Sequence, residues 1–259
     1  MNYSPILIVA GEPNSIFLEI FFKAMKKSIN KNPLILIASH KLVKLQMKKL
    51  NFKKKIKLLN YKKIDNYYFD NNSINLINVN LKVSRAFEKI STKSNKYITN
   101  SFDIAFEILK KGKIKKFING PISKKMFLNK NYLGITEYIS NKFKIKNSAM
   151  LIFNKKLSVC PLTTHLPLKF VSKKINKKLI IDKIILINEF YKKELKKIPK
   201  IAVVGLNPHC ESIDKFNEDI KIILPAIKNL KKYNYNIEGP IPADTVFLKN
   251  NRKKFDLII

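Results

Sequence analysis

The sequence predicts an α/β fold with a largely parallel sheet, and three observations carry that expectation. Short β-branched runs alternate with longer amphipathic stretches along the whole chain. The 259 residues are 46% hydrophobic, enough to bury one large core or the cores of two lobes that share a sheet. No internal repeat, heptad seam or Gly/Ser linker breaks the alternation.

Strands are predicted at Ile6–Ala10, Leu34–Ala38, Lys55–Leu59, Lys115–Asn119, Ala149–Phe153, Ile201–Val204 and Asp256–Ile259, each a short apolar run bounded by polar or turn residues. Helices are predicted at Ser15–Ser28, Leu42–Leu50, Ser101–Lys111, Leu179–Lys196 and Asn217–Lys231, where apolar residues recur at helical spacing. Tyr61–Asn80 is polar, rich in Asn and Tyr and without periodicity, so it reads as a loop. The final run reads as a strand that ends with the chain, which makes the sequence look cut at its C-terminal side.

Composition excludes several function classes. The formal charge of +34 comes from 52 Lys and Arg against 18 Asp and Glu. The only arginines are Arg85 and Arg252, whereas nucleic-acid recognition favours the planar arginine fork. Scattered lysines with abundant Asn and Ile read as solvated faces in an AT-rich genome, giving weak salt-sensitive sticking to polyanions but no specific nucleic-acid partner. No apolar run approaches the roughly 20 residues that span a bilayer, and the N-terminus carries no secretory pattern. The expected location is therefore cytoplasmic, with no membrane partner. Cys160 and Cys210 form no CxxC pair and are expected to be small buried residues.

Function in an open α/β sheet is sought in the loops at the carboxyl ends of strands. Four such loops stand out: Gly11-Glu12-Pro13-Asn14-Ser15-Ile16 followed by Glu19, Asn119-Gly120-Pro121-Ile122-Ser123-Lys124, Thr163-Thr164-His165-Leu166-Pro167-Leu168, and Gly205-Leu206-Asn207-Pro208-His209-Cys210-Glu211. The first two are weak signals alone, because Gly-Pro pairs punctuate turns and the first lacks G-x-G-x-x-G. Histidine is more telling, because the chain has three: His40, His165 and His209. His40 starts a predicted surface helix and gets no role. His165 and His209 lie near prolines in strand-end loops, where they read either as a metal pair or as structural loop residues.

Taken in order, these loops resemble the 4-hydroxythreonine-4-phosphate dehydrogenase family of vitamin B6 biosynthesis. The residues that carry the resemblance are Gly11-Glu12-Pro13 with Ile16 and Glu19, Pro121-Ile122-Ser123-Lys124, Gly134-Ile135-Thr136-Glu137, Thr164-His165-Leu166-Pro167-Leu168, Gly205-Leu206-Asn207-Pro208-His209 and Gly239-Pro240-Ile241-Pro242-Ala243-Asp244-Thr245-Val246-Phe247. The resemblance implies a two-lobed fold similar to isocitrate and isopropylmalate dehydrogenases. On this reading residues 1–259 make one catalytic unit of two interleaved lobes, with the C-terminal part of the family fold missing. It implies a homodimer with the active site at the subunit interface, NAD as cofactor, a small phosphorylated substrate, and one divalent metal ion, zinc, magnesium or cobalt.

Residue by residue, the resemblance assigns His165 and His209 to the metal and Thr136 to substrate. Asp244 and Lys124 are assigned to catalysis, beside their plain readings as a helix cap and a surface lysine. A third metal histidine of the family belongs to a segment that follows a strand resembling Phe255–Ile259. The implied reaction oxidises and decarboxylates 4-phosphooxy-L-threonine to 3-amino-2-oxopropyl phosphate. Ile135 departs from the pattern, standing where the family places a substrate-contacting histidine, and its side chain can neither donate nor accept a hydrogen bond. Ser15 and Phe17 replace glycines, and Glu12 replaces an aspartate. Two alternatives follow: a dehydrogenase for another phosphorylated hydroxy acid such as a threonate phosphate, and an inactive truncated paralogue.

Overall fold

The structure is a computed structural model that describes residues 4–27, 31–128, 132–213 and 215–259. It divides into two compact units, Met1–Phe143 and Lys144–Ile259.

The first unit contains β1 (Ile6–Val9), α1 (Phe17–Lys26), β2 (Leu34–Ala38), α2 (His40–Lys49), β3 (Ile56–Leu59), β4 (Ile74–Asn78), α3 (Asn95–Lys110), β5 (Lys116–Asn119) and α4 (Ile135–Lys142). Its sheet has the order β3-β4-β2-β1-β5, and every pair is parallel. Alternate strand residues feed two cores, as the strand period of two requires. Leu7, Val9, Ile35 and Ile37 pack with Ile98, Phe102 and Phe106 of α3, whereas Ile8, Leu34 and Leu36 pack with Leu18, Phe22 and Met25 of α1 and Leu42 of α2. With helices on both faces, β2 is buried at every residue, which explains its unbroken apolar run.

The second unit contains β6 (Ser158–Val159), α5 (Val171–Lys174), α6 (Lys177–Glu194), β7 (Ile201–Val204), α7 (Leu224–Lys232), β8 (Ile237–Ile241), α8 (Lys249–Arg252) and β9 (Leu257–Ile258). These strands form a second parallel sheet in the order β6-β9-β7-β8. Ile180, Ile184 and Ile187 of α6 and Ala226, Ile227 and Leu230 of α7 pack with Ile201, Val203, Ile237 and Leu257.

Several expectations need correction. Tyr61–Asn80 holds a strand, β4, between β3 and β2. Its Asn75 is 1% exposed, and its side chain donates to the Leu34 carbonyl at 3.1 Å and the Asp70 carbonyl at 2.7 Å. A buried amide whose N–H groups both find carbonyl partners thus replaces the apolar residue that a strand pattern leads one to expect. Ala149–Phe153 is not a sheet strand; only Ile152 makes one antiparallel bridge, to Val159, and Ile152 and Phe153 are exposed. Strands β6 and β8 and helix α4 were not expected. The helix expected at Ser101 starts at Asn95, and that expected at Asn217–Lys231 is a wide turn over Asp219–Ile223 followed by α7. The helix expected over Ser15–Ser28 spans Phe17–Lys26, and Ser28 lies outside the described residues. Cys160 is buried as expected, but Cys210 is half-exposed.

Candidate active site

At the carboxyl edge of the first sheet, the loops after β1 and β5 touch. The Gly120 N–H donates to the Val9 carbonyl at 2.7 Å, and the Glu12 N–H to the Pro121 carbonyl at 2.8 Å. Glycine at 120 permits this approach, because a Cβ there would sit 2.1 Å from the Ala10 oxygen and 2.9 Å from Phe17 Cγ. Gly11 has φ +73, and a Cβ would lie 2.4 Å from the Pro121 oxygen. Both obstacles include backbone, which cannot swing aside. Gly120→Ala is therefore expected to cost about 1–3 kcal/mol through overpacking, read as a lowered unfolding midpoint; an unchanged midpoint would show that the loops can part freely.

Beneath these loops Glu12 is 3% exposed. Its Oε1 accepts from the Asn14 N–H at 3.2 Å and from Ser94 Oγ at 3.4 Å. Burial pushes its carboxyl above the ordinary carboxylate range, and the bonds from Asn14 and Ser94 oppose that shift. Gln46, fully buried on α2, donates to the carbonyls of Pro13 and Ala86. Sequence reasoning passed over Gln46 and Ser94, since neither lies in a strand-end loop motif.

At the carboxyl edge of the second sheet, three parallel strands deliver the other candidates. β6 leads into the loop with His165, β7 into the loop with His209, and β8 into the segment with Asp244. β9 lies between β6 and β7, so the His165 and His209 loops leave the sheet on either side of it. His165 and His209 are both exposed, and both have left-handed backbones, φ 56 and φ 55. A non-glycine residue in that region is strained, by about 1–2 kcal/mol, and such strain concentrates at functional sites. Asp244 is exposed. It lies within electrostatic reach of Cys210, whose thiol is pushed up by burial and then by the negative charges of Asp219, Asp244 and Glu211. The ends of β7 and β8 thus come together around Cys210. Among the described residues, no three His, Cys, Asp or Glu side chains converge as a metal site.

The loop after β7 is held from within. Asp219 is fully buried, and its carboxyl accepts from the N–H groups of Leu206 at 2.7 Å and Asn207 at 3.1 Å, and from Asn207 Nδ2 at 3.0 Å. A Cβ on Gly205 would meet Cys210 Sγ at 2.6 Å and Asp219 Oδ1 at 3.0 Å, so the loop folds tightly over this acid only with glycine there. Sequence reasoning missed Asp219. The available signal was Asn217 two residues before it, an N-terminal cap residue at a predicted helix start.

The remaining candidates belong to the first unit. Lys124 is exposed and begins the helical turn Lys124–Leu128. Thr136 is half-buried in the first turn of α4, whose N-cap Gly134 offers no side-chain cap. Ile135 packs partly buried against the first core cluster. His40 begins α2, as expected for a helix-terminal residue.

Residues 30–259 match the family described as pyridoxal phosphate biosynthetic protein PdxA. The chain is 34% identical over 263 residues to the 4-hydroxythreonine-4-phosphate dehydrogenase of Sulfurihydrogenibium sp. (strain YO3AOP1), covering 98% of this chain and 78% of that protein. It is 30% identical over 259 residues to a Clostridium botulinum (strain Hall) protein provisionally named D-threonate 4-phosphate dehydrogenase, covering 95% of this chain and 76% of that one. The crystal structure of the 4-hydroxythreonine-4-phosphate dehydrogenase of Klebsiella pneumoniae aligns with a TM-score of 0.82 at 22% identity, covering 98% of this chain and 80% of that chain. That likeness bears out the expected α/β fold. With a family match over nearly nine-tenths of its length, the chain belongs to the PdxA family of pyridoxal phosphate biosynthetic proteins.

Proposed function

We propose that this protein is a 4-hydroxythreonine-4-phosphate dehydrogenase of pyridoxal 5'-phosphate biosynthesis, using NAD and a divalent metal ion. The observation that supports it best is the pair of strained, exposed histidines carried by the strand-end loops on either side of β9, in a chain with only three histidines. The reaction removes hydride from the secondary alcohol of 4-phosphooxy-L-threonine, reducing NAD to NADH with release of a proton. The β-keto acid then loses carbon dioxide.

Imidazole nitrogen suits a divalent ion, so His165 and His209 fit as two of its donors. A divalent ion held by these two imidazoles would supply stabilisation of negative charge developing on the alcohol oxygen. Left-handed backbone at both positions sets the direction in which each side chain leaves its loop. Thr136 is assigned a hydrogen bond to a phosphate or carboxylate oxygen, and Lys124 a countercharge to the substrate anion. Asp244 is assigned the orienting of water or substrate. We further propose a cytoplasmic homodimer with its active site at the subunit interface. Among the described residues, no helix is long and apolar enough to cross a membrane.

Genetic complementation tests the reading. The gene encoding this chain, expressed in a bacterium whose own 4-hydroxythreonine-4-phosphate dehydrogenase is deleted, should restore growth without added pyridoxine. Absence of growth while soluble protein accumulates overturns the proposal. The Clostridium relative and Ile135 favour D-threonate 4-phosphate as a second substrate, with a hydroxyl where the amine stands. NAD reduction with that compound, together with failed complementation, would select it.

A further inference from the structure

The loop that carries His209 is gripped on both sides of the histidine by one turn of chain. On the N-terminal side, Asp219 takes the N–H groups of Leu206 and Asn207 and the Asn207 side chain, and Glu218 Oε2 takes a further bond from Asn207 Nδ2 at 3.1 Å. On the C-terminal side, Asn217 Nδ2 donates to the Cys210 carbonyl at 3.4 Å. The same Asn217 caps the turn, its Oδ1 accepting from the N–H groups of Asp219 at 2.8 Å and Ile220 at 3.2 Å. Asn217 is 8% exposed and Asp219 fully buried, so both anchors lie under the loop. Between them Pro208 and His209 are exposed, and His209 and Cys210 hold φ 55 and φ 64.

An unfavourable backbone persists only where its surroundings over-determine it. Here the surroundings are these anchors, since Gly205 folds against Cys210 and Asp219 with no room for a Cβ. We infer that Asn217 and Asp219 are positioning residues: they touch no reacting atom, and they hold the His209 imidazole where it can donate to the metal. This rests on the metal reading of His209 given above. Groups that orient a metal ligand from behind are worth about 10–100-fold in metal affinity, so an amide at 219, which turns a donor toward the loop N–H groups, should lose that much.

The test pairs two readouts on the whole protein. In the metal-free protein, Asp219→Asn should speed amide hydrogen exchange at Leu206 and Asn207, and Asn217→Ala should act in the same direction. In cobalt titrations, Asp219→Asn should weaken binding by about 10–100-fold in the parent and in a His165→Ala background, and by nothing further in a His209→Ala background. A residue acting only through stability would weaken binding alike in both backgrounds, and that result overturns the inference. Unchanged exchange at Leu206 and Asn207 overturns it too, by removing the anchor. If the parent takes up no cobalt, the metal reading fails and the inference falls with it, whereas altered exchange would still locate the fault in the metal assignment and not in the loop.

Discussion

Phe102→Ala should destabilise the first unit by about 3–5 kcal/mol, the usual cost of truncating a fully buried aromatic residue. Phe102 has no exposed surface, and its ring meets four others from four elements. It lies 5.7 Å from Phe106 on α3, 6.2 Å from Phe117 on β5, 6.2 Å from Phe127 in the Lys124–Leu128 turn, and 5.5 Å from Tyr138 on α4. The contacts with Phe117 and Tyr138 are edge-to-face and that with Phe127 is stacked, geometries that add to area burial, and the partners are themselves part of a wider ring cluster that cannot collapse into the gap without losing its own contacts. Domain stabilities are about 5–15 kcal/mol, so the loss takes about a fifth or more of the total. Denaturant unfolding should show the midpoint falling with little change in slope, and Phe102→Leu should lose less. A cost below about 1 kcal/mol would mean the cluster repacks, against the density argument for such cores. Because the Lys124 turn and α4 with Thr136 rest on this ring, the same variant should loosen both.

The fold was legible where burial on both faces leaves an unbroken apolar run. Leu34–Ala38 and Ile201–Val204 appear at their expected positions because strands in a parallel sheet covered by helices must be apolar throughout. Legibility failed where the donors of one buried polar side chain are taken up by tertiary contacts. Asn75 makes β4 look like loop, and nothing local reveals that the Leu34 carbonyl, 41 residues away in sequence, will accept its amide. It failed again at Ser158–Val159, where two residues suffice because β9 supplies the pairing.

The candidate site was legible in part for a related reason. His165 and His209 stood out through scarcity and their place after strands, both of which are properties of the sequence. Their left-handed backbones were not readable, since conformation at a non-glycine residue follows from its surroundings. Asp219 was equally hidden. Its partners at Leu206 and Asn207 lie 13 and 12 residues upstream, a spacing that no helical or strand period encodes.

That strain gives the most discriminating prediction. His165→Gly and His209→Gly should each abolish function, by more than about a hundredfold if loss of a metal donor exceeds loss of its supporting group, without lowering stability. Glycine accepts φ 55 or 56 at no steric cost and so releases about 1–2 kcal/mol of left-handed strain. Its greater freedom in the unfolded chain takes back about 0.5–1 kcal/mol, leaving a net change from about zero to about 1.5 kcal/mol in favour of the folded state. His165→Ala and His209→Ala keep the strain and should fall below the glycine variants by about 1 kcal/mol while losing function equally. Both imidazoles are exposed, so no core packing is lost in any of the four. Unfolding midpoints set against NAD-linked turnover or complementation decide the matter. Two structural loop histidines would give the opposite pattern, with stability falling on substitution and function surviving in proportion to the protein that stays folded.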